Sequence, residues 1–197
     1  MNLRPSLAAL CLPLVVCAAP RPVSADDVRV PPGWFIAGKA PGDYQMGLDR
    51  GQAHTGRGSA VVRARVPHPA SFGTLMQTFA PDDYRDRRLR LSAWMKSDAV
   101  ESWAGMWMRV DGESGRVLSF DNMQSRAIKG TTDWRRYDIV LDVPREATLI
   151  SLGLLLDGPG AIWIDDIAID QVSRDVPTTD MVRRSSGSQP RNLGFEE

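Results

Sequence analysis

Cysteine and histidine are nearly missing from this chain, with two of each in 197 residues. Both cysteines, Cys11 and Cys17, lie within the first 25 residues. A mature chain cut after Ala25 has no thiol, which excludes disulfides, thiol nucleophiles and zinc–thiolate centres. The histidines, His54 and His68, are far apart, and neither belongs to a His-Glu-x-x-His pair. No Gly-x-Ser-x-Gly elbow and no phosphate-cradling glycine motif occurs. Long apolar runs are missing too: Pro13, Pro20 and Arg21 cut the only candidate short of the about 20 residues a membrane span needs. Charge of one sign is not in excess, with 24 basic and 24 acidic residues. Arg4 and Arg21 leave with residues 1–25, so 22 basic residues then face 24 acidic ones. That balance gives no electrostatic reason to expect a nucleic-acid partner.

What is present begins with a leader. One early charge (Arg4), an apolar run and Val23-Ser24-Ala25 before Asp26-Asp27 follow the plan of a secretory signal peptide. The expectation is export as a soluble protein, secreted or periplasmic. Leu14-Val15-Val16-Cys17 offers a lipoprotein site as the alternative, against which valine stands where a small residue is expected. Residues 26–170 then read as one domain large enough for a sizeable core. Residues 171–191 read as a polar linker, and residues 192–197 as a final apolar–acidic segment.

The body is a succession of short strands. Turn signals recur roughly every 8 to 12 residues, no stretch keeps a 3.6-residue period, and no internal repeat is found. Tyr137, Ile139, Leu141 and Val143 alternate with Arg136, Asp138 and Asp142, the period-two pattern of a half-buried strand. Ile150, Leu152, Leu154 and Leu156, with Leu149 and Leu155 between them, are apolar on both faces and read as a central strand. In the last body strand Ile162 and Ile164 share one parity, whereas Ile167 and Ile169 take the other. That phase change at Asp165-Asp166 reads as a bulge or an edge. The pattern as a whole predicts an all-β, two-sheet antiparallel sandwich.

Two alternations bear on function. Leu89, Leu91, Ala93 and Met95 would face the core, which leaves Trp94 outside; Ala104, Met106, Met108 and Val110 do the same for Trp107 and Arg109. If these strands are neighbours, Trp94 and Trp107 share one outer face. An indole stacks on the C–H face of a sugar ring while nearby polar groups satisfy its hydroxyls. Trp94 and Trp107 are therefore candidate platforms, with Arg109, Gln77 and Asn122 as candidate hydrogen-bonding groups. The competing reading packs both indoles under a loop or a terminal strand.

The pieces His54-Thr55-Gly56-Arg57-Gly58-Ser59-Ala60, Leu89-Arg90-Leu91-Ser92-Ala93-Trp94, Trp134-Arg135-Arg136-Tyr137 and Ile162-Trp163-Ile164-Asp165-Asp166-Ile167 occur in this order. Together they resemble the galactose-binding-like jelly rolls, which include many carbohydrate-binding modules. The resemblance spans most of residues 33–170. It implies two stacked antiparallel sheets, a concave face that often binds glycan, and a structural calcium ion. By that resemblance Asp165 or Asp166, a carbonyl near Arg57, and Glu196 would hold the calcium, although Gln52 stands where some relatives carry an acid. Such domains usually begin with an Asn-x-Gly-Phe-Glu strand. Here Asn192-Leu193-Gly194-Phe195-Glu196 stands at the other end, read as a displaced strand that completes the sandwich.

The resulting expectation is an exported, non-catalytic jelly roll that binds a glycan or other small polar ligand on its concave face. Its rival is a structural or protein-interaction accessory domain of the cell envelope. A glycan-active enzyme is the third reading, because carboxylates are plentiful enough for a hydrolase pair.

Overall fold

The computed structural model describes residues 28–182. The leader and the segment 192–197, with its expected strand and Glu196, lie outside the described residues. The rest is built from β-strands and short 3-10 turns. In chain order the strands are β1 (Phe35–Gly38), β2 (Tyr44–Asp49), β3 (Ser59–Ala64), β4 (Gly73–Phe79) and β5 (Arg87–Asp111). They continue with β6 (Val117–Asp121), β7 (Ile128–Val143), β8 (Leu149–Asp157) and β9 (Ala161–Val172). All pairings between them are antiparallel.

The 25 residues of β5 tie two layers together. Its first part pairs with β7 and β9, its second with β8 and β6. Between them the register against β7 slips at Met95/Ser97, Ser97/Val100 and Val100/Ala104, and Ala99 takes a left-handed φ of 49°. One layer therefore runs β2-β3-β9-β5-β7 and the other β1-β4-β8-β5-β6. The slip also shifts the side-chain phase: Leu89, Leu91 and Met95 are buried before it, Ala104, Met106 and Met108 after it. Both sets enter the same core with Leu75, Ile139, Leu141, Ile150, Leu154, Leu156 and Ile162. This is a jelly-roll sandwich, and β8 lies centrally between β4 and β5, as its two-faced apolar run predicts.

The bend in β5 corrects one expectation. Trp94 lies in the first layer and Trp107 in the second, so the two indoles do not share a face. Both belong to β5, whose two halves follow each other in sequence yet do not pair with each other. The phase change in β9 has the expected cause: Trp94 pairs with Asp165 but Ser92 with Ala168, which leaves one extra residue in β9. Asp166 absorbs it at a φ of 49°.

The domain also extends past residue 170. Arg88 holds Asp142 through two nitrogens at 2.8 and 3.1 Å and donates to the carbonyls of Arg174 and Val176. Thr179 pairs with the backbone of Val140, and buried Asp180 accepts from the Phe120 amide at 3.1 Å. The first part of the supposed linker is thus fastened along β7 and β6, where it covers exposed strand edge.

Tyr44 closes the opposite end. Its hydroxyl donates to the Ser71 carbonyl at 2.9 Å and accepts from the Gly158 amide at 3.0 Å. Burial pushes its phenol up from 10.0 to about 12. A raised phenol pKa favours folding while the group stays protonated in both states. The contribution is full below pH 10 and is lost as the pH climbs towards 12. Tyr44→Phe is expected to cost about 1 kcal/mol at neutral pH and to flatten the alkaline fall in stability, read by urea denaturation from pH 8 to 11.

Candidate functional site

A cleft of about 450 Å³ crosses the outer face of the β1-β4-β8-β5-β6 layer. Strand register explains who lines it. Thr74 and Met76 alternate with buried Leu75 on β4, Leu155 alternates with Leu154 on β8, and Trp107 and Arg109 alternate with Met106 and Met108 on β5. Phe120 pairs with Arg109 across β6, and Asn122 follows at the strand's end. Trp103 and Phe72 form one end of the cleft, while Lys39 and Gly38 close the β1 side.

Trp107 is the floor. Gly153 stands directly opposite it on β8, and Met76 stands beyond on β4. A Cβ at Gly153 would come within 2.8 Å of the indole nitrogen and 2.6 Å of the Leu75 carbonyl. The absent side chain lets the indole lie across β8 and donate to Thr74 Oγ1 at 2.8 Å. Thr74 in turn donates to the Leu154 carbonyl at 2.8 Å, so both groups are fixed before any ligand arrives. Trp107 as a whole residue is buried, with 8% of its surface exposed. Arg109 is oriented by Asp111, whose Oδ2 accepts from Nε at 2.9 Å. Asn122 Oδ1 accepts from the Gln124 amide at 3.1 Å, which steadies the turn that presents it.

Three sequence candidates, Trp107, Arg109 and Asn122, therefore line one cleft. Gln77 does not. It shares the parity of buried Leu75 and donates to the Gly33 carbonyl at 3.3 Å, away from the cleft. Trp94 lies on the far layer, where His54 stacks on it with centroids 4.0 Å apart and planes 12° apart. Trp134 meets the same imidazole edge-on at 5.8 Å. Trp94 is thus capped by a loop, which is the packing alternative raised for it above. The sequence reading overlooked Trp103, Phe120, Thr74 and Lys39. Trp103 was within reach, because it shares the odd parity of Trp107 and Arg109 in one unbroken strand.

The expected calcium ligands sit under that loop. Asp165 Oδ2 accepts the amides of His54 and Thr55 at 2.8 and 3.1 Å, and its Oδ1 accepts the Asp166 amide at 2.9 Å. Asp166 accepts from Thr55 Oγ1 at 2.5 Å, and its Oδ2 lies 2.6 Å from His54 Nδ1. Thr55 first and His54 second hold the Asp166 carboxyl below the usual carboxylate range. Each oxygen already faces a donor of the protein, Arg57 is exposed, and no cluster of three or more His, Cys, Asp or Glu suits a metal among the described residues. Glu196, the other expected ligand, lies outside the described residues, and the two acids present anchor the loop. Chelation with EDTA is accordingly expected to leave the melting temperature unchanged. A fall of several degrees, reversed by added calcium, would contradict this.

No protein-family model matches the chain. It is 42% identical over 167 residues to the uncharacterized HTH-type transcriptional regulator YbfP of Bacillus subtilis, covering 84% of this chain and 57% of that protein. The chain thus spans little more than half the length of this relative. Among solved structures, the CBM22-1 xylan-binding domain of Paenibacillus barcinonensis Xyn10C superposes with a TM-score of 0.53 at 14% identity, over 73% of this chain and 88% of that one. The Stig cyclase of Fischerella superposes with a TM-score of 0.52 at 14% identity, over 74% and 87%. The fold is that of the carbohydrate-binding-module jelly rolls. At such identities the likeness concerns fold alone, and the fold hosts more than one chemistry.

Proposed function

We propose that this protein is an exported, non-catalytic module that binds a carbohydrate in the cleft floored by Trp107. The observation that carries the reading is the prearranged indole, laid across Gly153 and tied to Thr74. A flat aromatic ring fixed in advance loses little entropy when a sugar ring stacks on it. Trp103 and Phe120 extend the apolar surface to either side, and Arg109 and Asn122 supply groups that bond hydroxyls. Strand positions, rather than loops, hold Trp103, Trp107, Arg109 and Phe120. The leader read in residues 1–25 supports export.

The test is a broad glycan array probed with the purified mature protein, followed by the Trp103→Ala variant. Trp103 is half-buried at the cleft's end, so its loss should spare the fold and weaken binding about tenfold or more. Silence across the array would remove the reading. A second reading follows from the regulator relative: the same cleft would serve as a sensor for a small polar ligand within a larger protein. It predicts saturable binding of a free mono- or oligosaccharide, with no retention on insoluble polysaccharide.

A further inference from the structure

We infer that the ligand of this cleft is an anionic saccharide several rings long, bearing carboxylates that Arg109 and Lys39 receive from its two ends. The inference rests on the cleft-binding reading and names its ligand class. Among the residues that line the cleft, the charged ones are Lys39 and Arg109, both cationic; none is an Asp or Glu. One acid nearby, Asp111, pairs with Arg109 and offsets its charge in part. Asp111 is buried beneath Arg109 and takes only its Nε. Asp157 pairs in register with Trp103 but does not line the cleft.

The two cations are presented differently. Arg109 is held by its Nε, while Nη1 and Nη2 make no hydrogen bond among the described residues and its side chain is 43% exposed. That leaves a preoriented pair of donors for the bidentate geometry a carboxylate favours. Lys39 is exposed on the last turn of the β1 side and has no ion pair among the described residues. Its backbone amide donates to the Phe72 carbonyl at 3.1 Å, which places it in the row of Trp103. Three strand spacings separate it from β5, about 14 Å, and the rows of Trp103 and Arg109 lie about 20 Å apart along the strands. A single sugar ring cannot bridge that diagonal. A short chain running over the Trp107 floor can.

The experiment compares acidic oligosaccharides with the same molecules after methyl esterification. Oligogalacturonate, alginate oligomers and glucuronate-substituted xylo-oligomers serve as probes, each titrated at 50 and 500 mM salt. Esterification leaves the ring faces and hydroxyls alone and turns each carboxylate into an uncharged methyl ester. The expected result is at least one acidic probe bound tenfold or more tighter than its ester, with the advantage shrinking at high salt. Arg109→Gln and Lys39→Gln should each erase most of that advantage; Lys39 is exposed, so its variant keeps the fold even if the other does not. Equal affinity for acid and ester, insensitive to salt but lost in Trp103→Ala, would overturn the anionic assignment and leave the carbohydrate reading standing. Failure of the folded protein to bind any acidic probe, with neutral glycans bound, would overturn it likewise. No binding to any glycan, acidic or neutral, would overturn both.

Discussion

Gly153→Val is expected to destabilise the sandwich by about 1–3 kcal/mol and to abolish binding in the cleft. The new side chain would enter the space between the Leu75 carbonyl, the Met76 Cβ and the Trp107 indole nitrogen, at 2.6, 3.0 and 2.8 Å from its Cβ. Two of those neighbours belong to backbone or a strand position and cannot withdraw. The indole is what moves, and its bond to Thr74 breaks. Thermal denaturation reads the first effect and titration with a bound glycan the second. Wild-type affinity in a folded variant would show that the floor does not depend on this glycine.

The next largest loss is expected at Asp121. Its carboxylate is 0% exposed and meets Arg126 Nη2 at 2.7 Å, while Oδ1 accepts the Met123 amide at 2.8 Å and Arg126 Nη1 at 3.1 Å. These bonds hold Met123 in a left-handed turn with φ 60°, its side chain fully buried. Asn122 rides on that turn into the cleft. Asp121→Ala should cost about 1–3 kcal/mol, the range for leaving a buried donor such as the Met123 amide without its acceptor, because Arg126 keeps 35% of its side chain in solvent. Asp121→Asn keeps an acceptor for Met123 and should lose less. Chemical denaturation of the two variants separates the charge from the turn. Equal and small losses in both would show that neither matters to the fold.

The fold was legible in the sequence because both layers obey one rule, alternation against a shared core. Leu89 to Met95 and Ala104 to Val110 were each read with the correct inward face. What the alternation does not encode is which layer a strand joins. Nothing in the residues between Met95 and Ala104 announces that β5 crosses from one layer to the other. Trp94 and Trp107 therefore read as neighbours although the core separates them. Gln77 was misplaced for a related reason: a polar residue at an inward position near a strand's end can turn to a backbone carbonyl, here that of Gly33. The bulge at Asp165-Asp166 was visible from the isoleucine phases. Its occupants were not, because the amides of His54 and Thr55 come from a loop more than a hundred residues away.

The Trp107 floor also depended on an absence. Gly153 looks like a weak point in a leucine-rich strand, yet it is where the neighbouring indole lies down. Cross-strand register was needed to see that, since the two residues are paired only once β5 and β8 are aligned. Lys39 was similarly hidden, as a turn residue whose row is set by β1 pairing with β4.

The most direct measurement of the binding site is the set of indole N–H signals in a nitrogen-resolved NMR titration with an acidic oligosaccharide. The account predicts saturable shifts at Trp103 and Trp107, with Trp94, Trp134 and Trp163 on the opposite layer unmoved. Shifts confined to Trp94 and Trp134, or none at any indole at saturating ligand, would contradict it.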